Sequence, residues 1–122
     1  MSVPVEVREL EDQIEQFGTT PYLLTVDDYG RPHAVAVRVS WVGGGLVCQG
    51  GQRTLAHAEA RPAVTMLWPP FEEGGYSLIV DGEATVADGK VALRPSSAVL
   101  HRPIGVGADG EPGSECVHVA CG

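Results

Sequence analysis

Gln52, Arg53 and Thr54 stand together at the start of a segment, QRTLAHAEARPAVTMLWPP from Gln52 to Pro70, that reads as a short helix, a proline boundary and an apolar strand. A cation, side-chain hydrogen-bonding groups and the free amides of a helix start are the parts of an anion site. Arginine at that end of a helix opposes the macrodipole, and a bound anion removes the conflict. The chain as a whole is acidic, with a formal net charge of -8 over 122 residues. Glu6, Glu9, Glu11, Asp12 and Glu15 crowd its first twenty residues, whereas Arg31, Arg38, Arg53 and Arg61 face only Glu59 across the stretch they bound, with His33 and His57 in addition. This local basic surplus favours a small anionic ligand. The overall acidity excludes a general nucleic-acid or anionic-membrane footprint.

Other chemistry-bearing residues give less. The four histidines have no metal-ligand spacing, and Cys48, Cys116 and Cys121 lack any CxxC pair, so neither a metal site nor a disulfide scaffold is expected. Reduced thiols fit a cytoplasmic protein. No apolar run approaches the length of a membrane span, and the acidic N-terminus does not read as a signal peptide. Ser96-Ser97 lies outside any G-x-S-x-G context. Arg61, just before Pro62, suits a helix C-terminus for structural reasons alone. Arg38 also suits a solvated strand exterior. No residue is assigned a catalytic role.

These residues need elements to position them. Val7, Leu10, Ile14 and Phe17 recur at helical spacing, which predicts an N-terminal helix over about 5–17 ended by Gly18. Strands are expected over 22–26 and 32–42, joined by the turn Asp27-Asp28-Tyr29-Gly30. In the second of these, His33, Val35, Val37, Val39 and Trp41 share one face and Ala34, Ala36, Arg38 and Ser40 the other. Gly43-Gly44-Gly45 turns the chain into a short strand over 46–49, and a helix over about 54–60 ends at Arg61-Pro62. A strand buried on both faces is expected over 63–68, then a long strand over 76–87 and a turn at Asp88-Gly89 into 90–93. The stretch 96–102 reads as either a strand or a short helix. A glycine-rich loop over 104–114 and a closing strand over 116–120 complete one domain, mainly β, with two or three short helices and a small closed barrel about 20–103.

Three segments carry a family resemblance: GRPHAVAVR (Gly30 to Arg38), QRTLAHAEARPAVTML (from Gln52) and VDGEA (Val80 to Ala84). In this order and spacing they resemble the pyridoxamine-5'-phosphate-oxidase-like family of flavin-binding split β-barrels with Greek-key connections, over about Thr20 to Asp88. The resemblance implies a homodimer that binds FMN, or alternatively coenzyme F420, and transfers hydride to or from a small molecule. It implies that Arg38 and Arg53 hold the cofactor phosphate, with His33, Gln52 and Thr54 at neighbouring cofactor positions and Ser77 near the flavin ring. Thr54 stands where the family often has lysine, Gln52 where it has serine, and His33 where it has arginine. Leu100-His101-Arg102-Pro103 is a faint echo of the substrate-gripping segment of the true oxidases, so pyridoxamine phosphate oxidase activity itself is not expected. A non-catalytic flavin-binding protein, or a cofactor-free dimeric barrel, is the alternative.

Overall fold

The structure is a computed structural model and describes residues 2–105. Its element order is β1 (Ser2–Val5), a 3₁₀ turn (Val7–Glu9), α1 (Leu10–Phe17), β2 (Tyr22–Val26), β3 (Pro32–Ala36), β4 (Val39–Val42), β5 (Gly45–Gln49), α2 (Gln52–Ala60), β6 (Ala63–Trp68), β7 (Ser77–Ala87) and β8 (Lys90–His101). All strand pairs are antiparallel, in the order β3-β2-β6-β7-β8-β5-β4, with β1 added against β8.

The two ends of that order, β3 and β4, are consecutive parts of one extended run over 32–42. Its first half pairs with β2, in the register Tyr22↔Ala36. Its second half pairs with β5, in the register Val39↔Cys48. Between them the Val37 amide donates to the Pro21 carbonyl (3.0 Å) and the Val39 amide to the Thr19 carbonyl (2.8 Å). The run therefore stays bonded to the β2 side until it reaches β5, and the sheet closes on itself as a split barrel. The edges of β8 are shared similarly: β5 pairs with its first part and β1 with its last.

Alternation follows from the pleat. Leu23, Met66, Leu78, Val80, Val91 and Leu93 point inward and are fully or almost fully buried. Trp68 is 1% exposed, and its indole N–H donates to the Gly18 carbonyl at 2.8 Å, which ties the end of α1 to the barrel. Leu10 and Ile14 are the buried face of α1. On the outside, one register row crosses six strands: Ala36, Tyr22, Leu67, Ile79, Val99 and Pro4 are successive cross-strand partners. Every member of that outward row is apolar.

The chain departs from the expected elements at four places. The N-terminal helix does not span 5–17. Ser2–Val5 is an edge strand on β8, where Pro4 needs no amide partner, and the α-helix proper is Leu10–Phe17. α2 begins at Gln52, not Thr54. β6 buries only one face, because Val64, Met66 and Trp68 enter the core while Thr65 and Leu67 are partly open. The undecided stretch 96–102 continues β8 through a bulge at Ser96, the residue skipped where Asp81 pairs with Ser97 and Gly82 with Pro95. The closing strand expected over 116–120, Cys116 and Cys121, and all but the first two residues of the 104–114 loop lie outside the described residues. No helix among the described residues is long and apolar enough to cross a membrane.

Candidate functional site

α2 starts without a side-chain cap. Its N-cap is Gly51 in extended conformation, no acid occupies its first turn, and its first intrahelical bond runs from the Leu55 amide to the Gly51 carbonyl. The amides of Gln52, Arg53 and Thr54 are thus left without an intrahelical acceptor. Gln52 and Arg53 are exposed, whereas Thr54 is buried, its side chain 9% exposed and turned into the protein. The Gly50 amide bonds the Gly89 carbonyl, which fastens the start of the helix to the β7–β8 turn beside Lys90.

Arg38, Gln49 and Lys90 lie in one row across β4's lead-in, β5 and β8, all exposed on the barrel exterior. They line an open cleft of about 510 Å³ together with Ala36, Ser40 and Val47. Lys90 escaped the sequence reading because nothing local marks it. Only the Gln49↔Lys90 register brings it beside Arg38.

His33 and Arg53 line a different cleft, of about 220 Å³, with Asp27, Asp28, Tyr29 and His57. Asp27 organises this corner. Its Oδ1 accepts the amides of Tyr29 and Arg31, each at 2.9 Å, and its Oδ2 meets His33 Nε2 at 2.9 Å. The hydrogen bond from His33, then the Arg31 amide, hold its carboxyl down at about 2. The His33 and His57 rings are tilted against each other with centroids 4.8 Å apart. His57 is not among the expected site residues; its i, i+4 relation to Arg53, which puts both side chains on one helix face, is the signal the sequence offers for it.

The expected site residues therefore divide. Arg53 and His33 share one cleft, Gln52 and Thr54 belong to the helix start that bears Arg53, and Arg38 lines the larger cleft with Lys90. Ser77 joins none of them. It begins β7 opposite His101, while the helix start is fastened at the far end of that strand, roughly 30 Å away at the usual rise per residue. Cys48 is a buried free thiol whose burial raises its pKa.

No family model matches the chain. Two curated proteins, an uncharacterized protein of Mycobacterium bovis and one of Mycobacterium tuberculosis, are each 39% identical to it over 101 residues, spanning 66% of this chain and 69% of theirs. Among solved structures, the FAD binding protein from Mycobacterium smegmatis superposes with a TM-score of 0.63 at 18% identity, over 84% of this chain and all of that one. A FAD-binding protein from Mesorhizobium loti gives 0.56 at 14% identity, over 82% of this chain and 90% of that one. An F420 reductase gives 0.54 at 17% identity, over 66% and 88%. At these identities the solved structures share the fold with this chain. With the split barrel common to those structures and the sequence shared with the mycobacterial pair, this chain belongs to the family of those two mycobacterial proteins.

Proposed function

We propose that the chain binds a flavin-type cofactor, FMN or alternatively the deazaflavin F420, and works as an oxidoreductase that passes a hydride between it and a small molecule. The observation that carries this reading is the uncapped start of α2, bearing Arg53 and fastened through Gly50 to the turn beside Lys90, with Arg38 and Gln49 in the same row as that lysine. Three cations, an amide side chain and three backbone amides at the helix start are a donor set that fits a phosphate-bearing tail. The fold is also that of proteins named for FAD binding and for F420 reduction.

When bound, such a cofactor supplies the redox chemistry. This chain's residues do the holding. Arg38 and Lys90 neutralise the anionic tail, Gln52 and the amides of Arg53 and Thr54 donate hydrogen bonds, Arg53 adds a further cation, and His33 lies beside it in the adjoining cleft. No residue need exchange protons for hydride transfer, which accords with the lack of an evident acid–base pair in the larger cleft. The proposal extends to a homodimer, which two features support. Ser77 is too distant from the helix start to serve the same site within one chain, so its place near a ring falls to a second copy. The apolar outer row from Ala36 to Pro4 is the surface that such a copy would cover.

The test is a titration of cofactor-stripped protein with FMN, FAD and F420, followed by fluorescence quenching. One of them should bind, and Arg38→Ala, Arg53→Ala or Lys90→Ala should each weaken it by about 1–3 kcal/mol. Unchanged affinity in all three variants removes the proposed grip. Binding without reduction by a nicotinamide donor and reoxidation by any acceptor selects the non-catalytic alternative; no binding at all leaves a cofactor-free dimeric barrel.

A further inference from the structure

We infer that Arg94 is a second station for the cofactor tail, taking a carboxylate carried several atoms beyond the phosphate. Resting on the flavin-type reading, this selects F420 over FMN and FAD.

Three successive register rows make the exterior of β4, β5 and β8. The first is Arg38, Gln49 and Lys90. The second is Ser40, Val47 and Ala92, continued on β7 by Thr85. In the third, Val42 pairs with Gly45, and Arg94 with Glu83. The β5–β8 register, continued by one residue, sets Gly45 beside Arg94. Residues two apart on a strand share a face, so the three rows lie on one surface. That surface carries two clefts. The one already described reaches from the first row to Val47. A second, of about 420 Å³, is lined by Val42, Gly45, Val47, Thr85, Ala92 and Arg94 among others. Val47 belongs to both, so the two run into each other as one trough, cationic at each end and uncharged between.

Arg94 is exposed and lines the second cleft. Glu83 stands directly opposite it on β7 but does not line the cleft, and no ion pair joins the two. The guanidinium is therefore available to a ligand. Gly45 brings no side chain to its flank. A β-carbon there would lie 3.0 Å from the Leu93 carbonyl oxygen, so the floor beside Arg94 stays open.

Spacing decides which tail fits. Lys90 and Arg94 are four residues apart on β8, about 13 Å at the usual rise. A single phosphate held by Arg38 and Lys90 leaves Arg94 without a partner. A pyrophosphate does the same, since its two groups are joined through one oxygen. FMN ends at its phosphate and FAD continues from a pyrophosphate into an uncharged nucleoside, whereas the glutamyl tail of F420 places carboxylates further along. Ser40, Val47, Ala92 and Thr85, the residues between the stations, are all small enough for such a chain to lie across them.

The test compares F420 bearing its glutamyl tail with F420 lacking its glutamyl residues, and both with FMN and FAD, by fluorescence titration of the purified chain. The tailed form should bind about 5-fold tighter than the trimmed one, the upper end for an exposed charge pair. Added salt should erode that preference. Arg94→Gln should abolish it and leave affinity for the trimmed form unchanged, which also shows that the variant is folded. Arg8→Gln, which removes the same charge from the 3₁₀ turn, should leave the preference intact. A preference that persists in Arg94→Gln, or that Arg8→Gln abolishes equally, overturns the inference and leaves the flavin-type reading in place. Binding of FMN or FAD without F420 has the same meaning. Binding of none of the four removes both.

Discussion

Gly82→Ala should destabilise the barrel by at least about 3 kcal/mol, at the upper end of what overpacking usually costs. The figure rests on what a β-carbon would meet. An ideal Cβ at Gly82 lies 2.3 Å from the Arg94 carbonyl oxygen, 2.9 Å from its carbonyl carbon and 2.7 Å from Leu93 Cδ2. Real contacts of this kind do not fall below 3.0 Å, so β7 and β8 must separate by some tenths of an ångström at the bulge, and two of the three obstructing atoms are backbone. A flexible side chain could rotate away; a carbonyl held between two strands cannot. Gly82 itself is buried, so solvent offers no escape. Urea denaturation followed by fluorescence of Trp41 and Trp68 measures the loss, and at an m-value of about 1–3 kcal/mol/M the midpoint should fall by 1 M or more. Gly51→Ala is the matched control. No atom lies within 4 Å of its added carbon, so only a weaker helix cap is lost, about 1 kcal/mol or less. A Gly82→Ala variant less than about 1 kcal/mol weaker than the parent would refute the close-approach argument.

Three further outcomes follow from single contacts. Trp68→Phe removes the donor to the Gly18 carbonyl and should cost about 2 kcal/mol, read by the same denaturation; a loss within experimental error would mean that α1 is not held by that bond. Asp27→Asn keeps an oxygen for the Tyr29 and Arg31 amides but removes the charge. Because the native carboxyl is depressed to about 2, its contribution is complete above the unfolded value of 3.8 and lost as pH falls through about 2, so the variant should lack this component of the acid limb in a pH-melting series. Tyr22→Glu alters a side chain that is 42% exposed, so the monomer's stability should change by no more than about 0.5 kcal/mol while sedimentation shifts toward monomer. An unaltered sedimentation profile would show that the apolar outer row is not the surface between copies.

What the sequence revealed depended on whether the deciding forces were local. β2, β6 and most of β7 are legible because alternation and turn residues act over a few positions: Val64, Met66 and Trp68 alternate inward, and Asp88-Gly89 dictates the hairpin through positive φ at both residues. β1 was illegible for the opposite reason. Ser2–Val5 has no strand pattern of its own and is extended because β8 offers an unpaired edge nearly one hundred residues away. The bulge at Ser96 hid β8 similarly, since a one-residue insertion reverses which face each later side chain occupies, and Leu93 and Ala98 fall out of phase. For the site, the cationic start of α2 is visible as residue types, but Lys90 and His57 become neighbours of Arg38 and His33 only through strand register and helix placement.

The run 32–42 explains why two clefts arise where the sequence suggested one. Its side chains alternate, so His33 and Arg38, an odd number of residues apart, must leave the strand on opposite faces. The run also changes partners midway, from β2 to β5. His33 is thereby delivered to the β2–β3 corner beside Asp27, and Arg38 to the exterior beside Gln49 and Lys90. No rotamer choice can bring the two side chains into one pocket while that register holds. Any anionic ligand that engages both must therefore present two separated negative groups or leave one cleft to a second ligand. The choice is measurable through coupling: for a ligand spanning both clefts, Arg38→Ala combined with His33→Gln should cost more or less than the sum of the single changes. Strict additivity would mean that the clefts bind independently.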